Sequence, residues 1–314
     1  PPRSTLFPYT TLFRSKIALS VFAICFAGIS GAFADADSTA MYRTGPLVGR
    51  MVDAGFLLGE TNYHAVQFAS DGCVYYGIGS HAAGASATLF RYDPRNGDVR
   101  KLASMNDVTG EDGTKVFNQG KIHCDLYEMK GKLYFSTQGG YYQGGNLGPF
   151  PGGHFLSYDM KTGTCADIGI GASGEGMVTM AVDTARGRMY AITWPGMHFV
   201  YHDIASGKTR DFGKSVATPG IDDLTAVPGN RSLGIDPRDG SVYWHNMDET
   251  ISLYDYATDT IAVLSRPTLG IPVLKTARSG FDGVLWRSIR WSCSMNRFYA
   301  VDSGCEYLFS YEPK

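Results

Sequence analysis

The sequence predicts an all-β chain of repeated four-stranded units, on three observations. Short runs rich in Tyr, Phe and Val alternate with Gly, Asp and Asn turns, and no long stretch holds helical periodicity. A hairpin phrase recurs as "LFRYDPRNGDVRKL", "LSYDMKTGTCADIG", "FVYHDIASGKTRDFG" and "ISLYDYATDTIAVLS". A second hairpin precedes each of these ("CVYYGIG", "KLYFSTQ", "RMYAITW", "SVYWHN"), and "RFYAVDS" opens a fifth unit. Aligning their tyrosines, Tyr75, Tyr134, Tyr190, Tyr243 and Tyr299, gives spacings of 59, 56, 53 and 56 residues. Four strands at such a period is the signature of a β-propeller blade. Thirty-nine glycines in 314 residues and an aromatic content of 13% agree with it.

Ahead of the repeats, "TLFPYTTLFRS" (Thr5 to Ser15) resembles the translation of a sequencing-adapter oligonucleotide, so residues 1–15 read as a cloning artefact outside the fold. Residues 16–34 read as a signal peptide: Lys16, an apolar run broken by Gly28 and Gly31, and the small-x-small close Ala32-Phe33-Ala34. Ile24 stands where a lipoprotein signal needs a small residue before Cys25, so soluble export is expected, secreted or periplasmic. No apolar stretch of the mature chain is long enough to span a bilayer. Arg3, Arg14 and Lys16 precede the cleavage site while every acid follows it, so the net charge moves from −2 to −5 on cleavage. That balance gives no global attraction for nucleic acid, and any anion site must be local. Five cysteines remain, of which Cys293 and Cys305 flank one hairpin and are candidates to pair. No CxxC is present to hold zinc.

Residues 35–314 then form one propeller domain of five visible blades. The fifth stops at "YLFSYEPK", one strand short. Either "GRMVDAG" (Gly49 to Gly55) returns as its outer strand and closes a five-bladed ring, or the chain is a C-terminally truncated piece of a larger propeller. With strands A to D counted outward from the axis, the A–B and C–D turns are short. The B–C and D–A connections, such as "QGGYYQGGNLGPFPGG" and "KSVATPGIDDLTAVPGN", are long and share one face. Long loops on a rigid scaffold are where sites sit.

The same register gathers the reactive side chains. Eleven residues before each aligned Tyr, at the entry of strand A, stand His64, His123, Thr179, Ser232 and Ser288, with Arg231 and Arg287 just before the last two. Strand B exits on the same face at His81, Gln138, Trp194 and His245, and strand C enters from it at His154 and His198. Only His202 falls at the opposite end. Each residue also has a plainer reading. A lone inner-strand His is commonly a hydrogen-bonded structural group, Arg231 and Arg287 have Asp222, Asp223 and Asp282 as candidate partners, and Trp194, Tyr141, Tyr142 and Trp244 can be packing. Six histidines also admit a metal, but there is no HxH or HExxH, and acidic residues are scarce beside them. No Gly-x-Ser-x-Gly elbow supports a serine hydrolase.

"GKIHCDLYEMKGKLYFSTQGGYY", "PGGHFLSYD", "MYAITWPGMHFVYHD", "NRSLGIDPRDGSVYW" and "YLFSYEP", in that order, resemble the secreted propeller polysaccharide lyases that degrade ulvan, a sulfated rhamnose–uronate polysaccharide. The resemblance runs from about Asn62 to Pro313. It implies a seven-bladed propeller, an acidic polysaccharide as partner, cleavage by β-elimination, and a tyrosine working with histidine and arginine. It also leads to the expectation of a histidine where Gln138 stands. The catalytic candidates are Arg231 to neutralise the uronate carboxylate, His123 as proton-transfer group, and His154 or Tyr141 to protonate the leaving oxygen. His64, His81, Gln138, Tyr142, Trp194, His198, His245 and Arg287 are the substrate-binding candidates. Elimination requires no cofactor, although a structural divalent metal is compatible with the histidines. Two alternatives stay open: a metal-dependent propeller hydrolase or lactonase, and a non-catalytic carbohydrate-binding propeller.

Overall fold

The computed structural model describes residues 49, 51–140, 147–218, 230–248, 250–264, 286–302 and 308–313. The artefact segment, the signal peptide, Tyr141, Tyr142, Asp222, Asp223, Asp282 and Cys305 lie outside the described residues. The chain divides into two units, Pro1–Val52 and Asp53–Lys314, and every element below belongs to the second.

Among its described residues that unit is all-β apart from one short helix. The first sheet runs β1 (Val66–Phe68), β2 (Val74–Ile78), β3 (Thr88–Asp93) and β4 (Asp98–Ser104), followed by α1 (Met105–Thr109). The second holds β5 (Lys121–Ile122), β6 (Tyr127–Met129), β7 (Lys132–Gln138), β8 (His154–Asp159) and β9 (Cys165–Ile170). The third is β10 (Gly176–Asp183), β11 (Arg188–Trp194), β12 (His198–Asp203) and β13 (Lys208–Lys214). The fourth is β14 (Gly234–Ile235), β15 (Val242–His245), β16 (Ile251–Asp255) and β17 (Thr260–Leu264). The fifth is β18 (Trp286–Ser292), β19 (Arg297–Asp302) and β20 (Leu308–Tyr311). Four are antiparallel meanders in chain order, and in the second β5 and β6 both pair with β7; residues in or just before the inner strand of all five line one cavity, so the fold is a β-propeller. The described part of "GRMVDAG" forms no strand, and the fifth sheet has three.

Turn chemistry explains the recurring phrase. Asp93, Asp159 and Asp203 each accept backbone N–H bonds from residues two or three positions on. Gly97, Gly163 and Gly207 then take positive φ, which costs a glycine nothing. The fourth unit keeps its cap in Asp255 but places Asp259 at φ 55°, a conformation that a short polar side chain tolerates.

The aligned tyrosines are the seams between blades. Tyr75 meets Tyr158 of the next blade with ring centroids 5.8 Å apart, Tyr190 meets Tyr254 at 5.6 Å, and Tyr243 meets Tyr311 at 5.5 Å. Phe199 stacks on Trp244 at 4.6 Å across the third and fourth blades. Backbones approach closely there too: a Cβ on Gly77 of β2 would lie 2.9 Å from Ile122 Cδ1 of β5. Cys73, Cys124, Cys165 and Cys293 are free thiols, and the candidate pairing of Cys293 with Cys305 involves a residue outside the described residues.

Candidate functional site

The innermost strands of four blades are irregular at one level, and that irregularity builds the site. In β10 the register shifts between Met177 and Thr179, and in β18 between Trp286 and Ser288, leaving Val178 and Arg287 as extra residues. In the second blade the inner strand breaks outright between β5 and β6, where His123, Cys124 and Asp125 lie. In the fourth, Arg231 and Ser232 precede β14 altogether. A bulge turns consecutive side chains, normally on opposite faces, toward the same space.

All five aligned positions, His64, His123, Thr179, Ser232 and Ser288, line a single axial cavity with Arg231, Arg287, Asp125 and Arg290. Its volume is about 30 Å³, room for water-sized groups and not for a sugar ring. Arg290 Nη2 lies 2.9 Å from Asp125 Oδ2, joining the fifth blade to the second. Three guanidiniums against one carboxylate make the cavity locally cationic in a chain of net charge −2.

His123 is buried, and its Nδ1 lies 2.8 Å from the Val178 carbonyl oxygen. A carbonyl only accepts, so Nδ1 carries the hydrogen and Nε2 the lone pair. Burial first, then Arg231 and Lys121, push its pKa down to about 3, so the ring is neutral at ordinary pH. His64 is lowered by burial as well, with Arg287, Arg290 and Arg231 opposing Asp125. Lys121 is 3% exposed, and burial with Arg231 brings it down to about 7. Cys124 lines the cavity too, but burial pushes its thiol up to about 12, which keeps it from acting as a nucleophile.

Of the sequence-predicted residues, the cavity unites His64, His123, Arg231 and Arg287. The other described candidates sit elsewhere. His154 is held between Asp167 Oδ2 (2.9 Å, at Nδ1) and Glu111 Oε1 (3.0 Å, at Nε2), so both ring nitrogens are engaged and no N–H remains for a leaving oxygen. Burial lowers its pKa, but the two carboxylates outweigh burial and carry it up to about 9. His198 Nδ1 likewise lies 3.0 Å from Asp211 Oδ2. His81 pairs with Glu60 at 2.7 Å, and His245 is fully buried with its ring 5.5 Å from that of Trp286. Gln138 is buried at the end of β7 opposite Lys121. Trp194 borders a separate apolar groove with Phe117, Pro149, Phe150 and Pro195.

The expectation that acids are scarce near the histidines is therefore corrected. Glu60, Glu111, Asp167 and Asp211 reach three of them, His81, His154 and His198, from 21 and 43 residues upstream and 13 downstream. The 13-residue spacing occurs twice, in the Asp-x-Gly triplets Asp167-Ile168-Gly169 and Asp211-Phe212-Gly213, a legible signal of a structural clasp. Among the described residues no group of three or more His, Cys, Asp or Glu is arranged to hold a metal ion. Sequence reasoning missed Lys121, Asp125 and Arg290. Each stands two residues from an aligned position, on the same strand face by the period-two rule.

No protein-family model matches the chain, and no curated protein matches it. Among solved structures it is similar to the extracellular domain of a one-component system from B. thetaiotaomicron, with 14% identity, covering 83% of this chain and 28% of that one, at a TM-score of 0.49. It is also similar to the Swd1 β-propeller domain of Myceliophteria thermophila, with 11% identity, 77% and 62% coverage and a TM-score of 0.47. Sqt1 of Saccharomyces cerevisiae gives 11% identity, 76% and 55% coverage and a TM-score of 0.46. The chain spans less than two thirds of each of these. Likenesses of that degree say nothing of activity or ligand, and the propeller is read from its own sheets. Among the described residues no helix is long and apolar enough to cross a membrane.

Proposed function

We propose that the protein is a secreted polysaccharide lyase that cleaves a uronate-containing, ulvan-like sulfated polysaccharide by β-elimination. The observation that carries this reading is the sharing of one narrow cationic cavity by Arg231, Arg287 and an unprotonated His123. The H5 proton of a uronate is not acidic until the carboxylate charge is neutralised. A guanidinium on that carboxylate stabilises the enolate-like transition state, the role of Arg231. In this reading the uronate carboxylate points toward the guanidiniums while the pyranose ring, too large for a cavity of about 30 Å³, stays outside it. His123 Nε2 then accepts H5, the C4–C5 double bond forms and the C4–O4 bond breaks. Its lowered pKa leaves Nε2 unprotonated, and so weak a base can take H5 only once Arg231 has neutralised the carboxylate and made that proton acidic.

The test is incubation of the protein with ulvan and other polyuronates while the ultraviolet absorbance of an unsaturated uronate is followed. His123→Ala and Arg231→Ala are each expected to lower turnover by roughly a hundredfold or more. Turnover retained in either variant overturns the mechanism. Affinity for the glycan without product overturns the lyase reading in favour of a binding propeller.

A further inference from the structure

The tyrosine seams between blades are broken at one place. Just before the acid that ends the third strand stand Tyr92, Tyr158, Tyr254 and Tyr311, but in the third blade the residue is His202. Tyr158, Tyr254 and Tyr311 are the rings that receive Tyr75, Tyr190 and Tyr243. Tyr134, the aligned tyrosine of the second blade, thus has an imidazole as its counterpart in register. Among the described residues Tyr134 makes no ring contact, and the His202 ring lies instead 5.6 Å from that of Phe155. Here the seam opens into a cleft of about 350 Å³, lined by Lys132, Tyr134, Ser157, Ile168, His202 and Ile204. That volume is at the small end of the range of small-molecule sites. The cleft shares no lining residue with the axial cavity.

Its polar groups are buried and unengaged. Tyr134, Ser157 and His202 are 6%, 7% and 1% exposed, and among the described residues neither hydroxyl has a hydrogen-bond partner. His202 Nδ1 lies 3.0 Å from Thr209 Oγ1, and among the described residues nothing meets Nε2. Burial lowers the His202 pKa against the pull of Asp203 and Asp167, so the ring is neutral at ordinary pH. The one cation of the lining, Lys132, has Asp159 Oδ2 3.7 Å from its Nζ. Two hydroxyls and an imidazole, without net charge and beside the apolar walls of Ile168 and Ile204, match a ring that carries hydroxyls on its edge and C–H groups on its face. A charged ligand would find no unpaired opposite charge here. We propose that this cleft between the second and third blades binds a neutral monosaccharide or disaccharide, whose hydroxyls bond to Tyr134, Ser157 and His202. The site does not rest on the lyase reading above.

The test uses the full chain with D-glucose, L-rhamnose and cellobiose as probes, followed by saturation-transfer NMR and by the ring nitrogen signals of the histidines. At least one probe, at millimolar concentration, is expected to bind and to move the His202 Nε2 signal while the His123 signals stay in place. Ser157→Ala and Tyr134→Phe each remove one hydroxyl, and each should weaken binding by about threefold to tenfold. His202→Tyr gives the third blade the ring that the other seams carry, and it should fill the cleft and weaken binding by more than about tenfold. Should that variant fail to fold, the two hydroxyl deletions carry the test. Failure of every probe to bind, with water alone answering the polar groups, overturns the proposal. So does affinity kept within about twofold in both hydroxyl deletions, or a probe that moves the His123 signals and not those of His202. Because no probe carries a carboxylate, each of these outcomes is distinct from turnover of a polyuronate.

Discussion

His154 shows how a histidine at the functional face can be structural. Its imidazolium joins Glu111, from the long connection after α1, to Asp167 in β9, and Gln119 Nε2 donates to the same Glu111 carboxylate. Its folded pKa, about 9, lies above the ordinary histidine value, so the stability it contributes is complete below about pH 6.5 and is lost as pH rises through 9. Thermal unfolding should therefore fall along an alkaline limb worth on the order of 3 kcal/mol, and His154→Gln should flatten that limb. His123 has the opposite sign. Its folded pKa, about 3, lies below the unfolded one, so protonation favours the unfolded chain and stability declines as pH drops from about 6.5 toward 3. A wild-type pH scan of Tm, repeated with each histidine replaced, separates the two.

At the scale of strands and turns, the repeat was legible because its chemistry is local. The capping aspartates and the glycines at positive φ follow directly from the phrases around Asp93, Asp159 and Asp203. Replacing Gly97, at φ 78°, with Ala is expected to cost about 1–2 kcal/mol, read as a shift of the denaturation midpoint. A bulge, by contrast, leaves little mark on a single sequence. The extra residue in β18 is what turns Arg287 and Ser288 toward the same cavity, and alternation alone would have sent one of them outward. The pairings of Glu60 with His81 and of Glu111 with His154 span 21 and 43 residues and had no local signal, whereas the repeated Asp-x-Gly triplets did.

Across the whole molecule, aromatic seams between blades carry the packing while the axis carries the charge. Phe199→Ala empties a fully buried site between the third and fourth blades, and a loss of about 3–5 kcal/mol in unfolding free energy is expected. The cationic axis acts through a mildly acidic chain, so binding of an anionic oligosaccharide should weaken several-fold between about 0.1 and 1 M salt, measurable by calorimetry. An apolar subsite alone would show no such weakening.

The extra residue at Val178 also bears on how the site can change. The oxygen that fixes the His123 tautomer belongs to the main chain of the neighbouring blade. Any amino acid at position 178 would keep it, so drift in side-chain identity there leaves the imidazole's hydrogen where it is. Only a change of length in β10, one residue removed, would take the acceptor away and free the ring to turn.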